Sequence, residues 1–201
     1  MTISPESISL PGVRERDFAH YSRLHGAGHV NRVIVMGQIL AHVMGETPSV
    51  RLALWGASYT HDLARRHDEV CYMHGTWAVG ENLPGLWNSL FKPRGLADDQ
   101  YKAVKSAVIW HSRATEPPAG HPHRHLIALL KDADALDRCR LRADEFDPKY
   151  LRFRSTHGLI GLARELFSAG HDTEDLDGMW EWMTRRLSME GPPGGGGRAI
   201  L

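Results

Sequence analysis

Cysteine is almost absent. Cys71 and Cys139 are the only two in 201 residues, and they form no CxxC pair. A disulfide framework is excluded, and two isolated thiols fit a reducing compartment. An excess of charge of either sign is absent too, with Lys plus Arg and Asp plus Glu at 24 each. Neither nucleic acid nor a membrane surface is expected as a partner, and no basic stripe with interleaved aromatics runs along the chain. The most apolar stretch, VIVMGQILAHVMG, contains Gln38 and His42 and is too short to span a bilayer. The opening MTISPESISLPG lacks the basic start and apolar run of a signal peptide, so a cytoplasmic location is expected. P-loop, GxGxxG, GxSxG and HExxH patterns are missing. That removes support for P-loop nucleotide hydrolysis, nicotinamide-dependent redox chemistry and zincin proteolysis.

Strand-like alternation and internal repeats are also missing, and the dominant period is helical. Val33, Met36, Leu40 and Val43 follow the spacing of one buried helix face, which Gly45 closes. A second helix is predicted from Pro48-Ser49 to about Ala64. A third begins near Asp98-Asp99 and carries Tyr101, Val104, Val108 and His111 in phase. A fourth runs from about His125 to Arg140 on a stripe of Leu126, Leu129, Leu130 and Ala133. Longer helical segments are predicted over 147–169 and 173–188, with a break at Gly158 and Gly161. Residues 114–124, rich in Pro and Gly, read as a surface loop. The expected architecture is an all-α, single-domain helical bundle over 21–188. It follows an N-terminal segment over 1–20 and precedes a flexible Gly/Pro-rich tail over 189–201. The nearby Trp180 and Trp182 either cover a homodimer face or finish the core.

Histidine is the unusual abundance, at 13 residues. His61-Asp62 ends an apolar segment, LALWGASYTHDLAR, and pairs an imidazole with a carboxylate, a ligand mixture suited to transition metals. His25 and His29 lie upstream in HGAGH; His74-Gly75, His111 in AVIWHS and Asp134 in KDADALD lie downstream. Their order over half the chain reads as ligands converging from several helices. His111 shares the inward phase of Val104 and Val108. Asp134 falls on or beside the stripe of Leu126 and Leu130, whereas Asp132 is turned away from it, so Asp134 is the expected buried carboxylate. His61 and Asp62 are about 100° apart on a helix; one can hold an ion while the other bridges to a second or reaches the same one. His29 opens the regular helix and is a better ligand than His25, which is assigned to substrate contact or outer support. His121, His123 and His125 sit in a Pro-rich loop and read as solvated, as does His67-Asp68 in the polar run RRHDEV.

These segments resemble the HD-domain metal-dependent phosphohydrolase superfamily, and most closely its small bacterial members. The elements that carry the resemblance are HGAGH, HDLAR, the HG at 74–75, IWHS and DADALDRCR, in that order over roughly residues 22–155. The stretch before His74, RRHDEVCYM, departs from the family pattern. The resemblance implies a helical bundle with a central metal. His29, His61, Asp62 and Asp134 match the four ligands of a single-ion site, and His74 and His111 occupy the places of the two histidines that two-ion members add. It further implies that Gly26 and Gly28 let the backbone approach that site.

Such ligands suit one or two divalent ions, of manganese, iron, cobalt, zinc or nickel, with magnesium a further option, and two ions are favoured over one. A divalent ion lowers the pKa of water from about 15.7 toward about 7 and polarises a phosphoryl oxygen. The expected activity is hydrolysis of a phosphoester of a small molecule, a nucleotide being the foremost case. Asp62 would serve at the reacting centre and Arg65 as a phosphate clamp. Arg32, Arg138, Arg140, Lys92 and Arg94 are weaker candidates for phosphate contact. Two other readings stay open: an HD-type di-iron oxygenase, and a non-catalytic metal-containing ligand-binding protein.

Overall fold

The computed structural model describes residues 10–141, 146–171 and 174–190. The first nine residues of the N-terminal segment, and the tail beyond residue 190, lie outside the described residues. Among the described residues the fold is all-α, with no strand. In chain order the α-helices are α1 (Ala27–Val43), α2 (Pro48–Thr60), α3 (His74–Glu81), α4 (Leu83–Leu86), α5 (Tyr101–His111), α6 (Arg124–Asp137), α7 (Arg154–His157), α8 (Ile160–Ser168) and α9 (Leu176–Glu190). No helix among them is long and apolar enough to cross a membrane.

Helix α1 is the central rod. It packs against α2 and α6, while α5 closes the group by contacting α2, α3 and α6. Its apolar side chains are buried almost all round, as expected of a helix surrounded by others. Two polar side chains buried within it bond to backbone groups of neighbouring segments. Asn31 accepts from the Val13 amide at 2.9 Å and donates to the Val13 carbonyl at 3.1 Å, tying residues 10–14 to the bundle. Gln38 donates to the Arg51 carbonyl of α2. The one failure on the predicted face is Val43, 44% exposed at the helix end, where Gly45 adopts a left-handed φ of 73° and turns the chain away.

Helix α2 starts as its sequence demands, with Thr47 accepting from the Val50 amide and Pro48 at the first turn. It stops at Thr60, short of the expected Ala64. Residues 61–65 continue as tight turns, Leu63 N–H to Thr60 O and Arg65 N–H to Asp62 O. His61 and Asp62 therefore sit on the curl that ends the helix. Segments without a predicted element, α3, α4 and the helical turns through Phe91, pack Phe91 edge-to-face against Trp55 and Tyr59, with Trp87 edge-on to Phe91. The helix predicted over 147–169 is broken: Pro148–Tyr150 is a single turn, and α7 and α8 are separated at Gly158–Leu159. Trp180 and Trp182 are half-buried against the core.

Candidate metal centre

Four imidazoles and a carboxylate meet at the middle of the bundle. His29 comes from the first turn of α1, His61 and Asp62 from the end of α2, His74 from the start of α3, and His111 from the end of α5. All five are buried. They form two groups able to hold a cation, His29 with His61 and Asp62, and Asp62 with His74 and His111. Asp62 divides its oxygens between them. Oδ2 lies 3.6 Å from His29 Nε2 and 3.9 Å from His61 Nε2, while Oδ1 lies 3.0 Å from His74 Nε2 and 3.5 Å from His111 Nε2.

Glycine makes the close approach. A Cβ on Gly75 would land on the Val108 carbonyl of α5 and crowd the His111 ring. Only glycine lets the start of α3 come near enough to α5 for His74 to meet His111. Gly26, before α1, faces the Ser22 carbonyl and the Glu15 carboxylate, where a Cβ would collide. Glu15 uses that closeness to accept from the Ala27 amide, standing in for a side-chain cap.

The far nitrogen of each ring sets its proton. His61 Nδ1 donates to the Ser58 carbonyl at 2.6 Å, and His111 Nδ1 donates to the Val108 carbonyl at 2.6 Å. His29 Nδ1 lies 2.7 Å from Asp137 Oδ2. Each of these partners is an acceptor, so each ring carries its proton on Nδ1 and turns a bare Nε2 inward, the form that ligates metal. His29 Nε2 and His61 Nε2 then face each other at 3.3 Å, with Asp62 beside them and Asp134 Oδ1 3.3 Å from His29 Nε2. Two neutral imidazoles and two carboxylates supply acceptors only. Such a buried set is unfavourable unless a cation, proton or metal, lies among them.

The titration tendencies agree. Burial opposes charge on His29, but Asp134 and Asp137 outweigh it and raise its pKa above the ordinary value. Burial pushes His61 down to about 4. Asp62, which burial alone would raise, is held well below the usual carboxylate range by His61, His111 and His74. Asp134 is lowered against the same burial effect by His29 and His61. His74 is raised by Asp62 despite its burial.

The two aspartates of α6 reverse part of the sequence expectation. Asp134 reaches the site, but its side chain is 23% exposed. Asp132 is the fully buried one. It accepts from the Arg152 and Phe153 amides, the Thr156 hydroxyl and the Arg152 guanidinium, so it fastens residues 152–156 to α6. The carboxylate that went unrecognised is Asp137. Besides His29, it binds Arg32 through Nε at 2.6 Å and Arg140 through Nη1 at 2.7 Å, and these cations with His29 lower it against burial. Its signal was present in the helical stripe of Leu126, Leu130 and Ala133, which continues to 137.

His25 stands beside the site, with its ring edge-on to His29 at 5.9 Å and Nδ1 3.2 Å from Asp68; burial lowers it to about 4. Arg65 is buried, and its guanidinium contacts His74 Nδ1 at 3.2 Å and the Glu69 carbonyl at 2.8 Å. His67 is half-buried and Asp68 is exposed, with Asp68 bonding Ser22 and His25. Arg32 and Arg140 serve Asp137, Lys92 pairs with Asp98, and Arg94 bonds the Leu90 carbonyl. His125, largely exposed, pairs with Glu46. Comparison with known proteins adds no identity: no family model, no curated protein and no solved structure matches this chain.

Proposed function

We propose that this protein is a metal-dependent phosphohydrolase of the HD type, cleaving a phosphoester of a small molecule, with a nucleotide the foremost substrate. The observation that carries the reading is the division of Asp62, whose two oxygens address two separate histidine groups. A carboxylate so placed suits a pair of ions and an in-line displacement at phosphorus. The order of HGAGH, HDLAR, HG, IWHS and DADALDRCR supports the same family.

In this reading His29, His61, Asp62 and Asp134 hold the first ion, and His74 and His111 with Asp62 hold the second. Bound there, a divalent transition ion activates water and polarises a phosphoryl oxygen. The chain's own residues do the rest. Asp137 fixes the ring and proton of His29, and the carbonyls of Ser58 and Val108 do so for His61 and His111. The walls of the bundle keep the four histidines and Asp62 from bulk water. Arg65 is the cation nearest His74 and the residue assigned to phosphate.

The test is a panel of nucleoside mono-, di- and triphosphates, cyclic nucleotides and sugar phosphates, each with manganese, cobalt, iron or magnesium. Release of phosphate or nucleoside that is lost in Asp62→Ala is expected. An iron-loaded protein that spared every phosphoester while consuming oxygen with an organic substrate would replace this reading with the oxygenase one. A nucleotide held intact in the presence of metal would replace it with a binding role.

A further inference from the structure

Three of the four site imidazoles are set for metal by an acceptor on Nδ1, and the fourth is not. The Nδ1 of His74 faces Arg65 Nη1 at 3.2 Å. A guanidinium has only donors, so in the neutral ring this nitrogen accepts and the proton lies on Nε2, the atom that points at Asp62. That proton has somewhere to go: Asp62 Oδ1 is at 3.0 Å and the bare His111 Nε2 at 2.8 Å. From Arg65 Nη1 through His74 to Asp62 or His111, donor thus meets acceptor at each step.

We propose that Arg65 gates the second metal position by holding His74 in the tautomer that cannot ligate through Nε2. The proposal rests on the metal-centre reading above. For His74 to bind an ion, its proton must move from Nε2 to Nδ1, where it would point at the guanidinium. Arg65 has to leave first. Its other bonds are to backbone carbonyls of the 66–73 segment, Glu69 at 2.8 Å and Asp68 at 3.5 Å, and its Nε has no hydrogen-bond partner among the described residues. An anionic ligand with two oxygens matches the guanidinium fork better than one imidazole nitrogen does. A phosphate group that draws Arg65 off Nδ1 completes the second position, so the full two-ion centre assembles when the substrate's anion is present. Arg65 is in this sense a positioning residue acting through His74.

The experiment is a manganese titration of metal-free protein, followed by calorimetry and by the spin coupling of paired ions, for the wild type, Arg65→Met and Arg65→Gln. The wild type should take one ion tightly and a second weakly. Loss of the donor in Arg65→Met should tighten the second ion by about 10–100-fold, the range over which outer partners of ligating histidines move metal affinity. Arg65→Gln, whose amide can offer Nδ1 an acceptor oxygen or a donor, should fall between it and the wild type. The first ion should be unchanged, which also reports an intact fold. Inorganic phosphate should narrow the gap between the two ions in the wild type and do less in Arg65→Met. Nitrogen-15 spectra of the metal-free wild type should show His74 protonated on Nε2, a readout that needs no variant to fold. A second ion of unchanged affinity in both variants, two equivalent ions in the wild type, or His74 protonated on Nδ1 would overturn the gate and leave the metal centre standing. Absence of any bound ion would overturn the metal-centre reading and the gate with it.

Discussion

The two halves of the histidine cluster share Asp62 and differ in how their protons are arranged. Around His29 and His61 every inward atom is an acceptor, two bare Nε2 atoms at 3.3 Å with carboxylates beside them. Around His74 and His111 a donor from Arg65 reverses one ring, and the group satisfies itself. Residue types are alike on both sides. What differs is the second partner of each imidazole, a carboxylate or carbonyl in three cases and a guanidinium in one. The difference shows that a ligand set is defined by the hydrogen bonds behind it as much as by the side chains in it.

The shared residue gives the largest predicted effect. Asp62→Ala should abolish binding at both positions, since each loses its carboxylate; isothermal titration with manganese checks this, and retention of one tight ion would show that the halves are independent. His61→Ala should remove the first ion, weakening it by more than the roughly 100-fold typical of an outer partner, as elemental analysis of folded protein would reveal. Asp137→Asn should act one step out. Metal affinity should fall by about 10–100-fold, and stability by about 3 kcal/mol, because Arg32 and Arg140 are left with buried charge. A combined chemical-denaturation and metal-affinity measurement would separate the two losses. Asp132→Asn should leave metal affinity unchanged while lowering stability by about 3 kcal/mol, because its anchored segment, residues 152–156, is released. A loss of metal in that variant would join the two aspartates that the geometry keeps apart.

Much of this site was legible before folding was considered. His61-Asp62 closes an apolar helix, and His111 turns inward in phase with Val104 and Val108. Local periodicity carried that much because each residue's direction is set by its own helix, whereas His74 was pointed to by motif order and the family resemblance, not by periodicity. The pair Asp132 and Asp134 misled for the opposite reason. What buries Asp132 is a loop some twenty residues later, whose Arg152 and Phe153 amides no helical stripe can announce. Asp137 sat on the correct stripe, but its role depends on His29, brought to it from α1. The elements through 74–91 escaped because short helices interrupted by Pro84 and Pro93 show no sustained period. The set of Arg65 against His74 is likewise invisible in sequence, since it depends on which ring nitrogen the guanidinium meets.

The central claim is that the acceptor-only group takes the first ion. Crystals of metal-free protein exposed to one equivalent of manganese, with the ion located by anomalous scattering, test it directly. The account predicts one dominant peak between His29 Nε2, His61 Nε2 and Asp62. A sole peak between His74 and His111, two equal peaks, or none would contradict it.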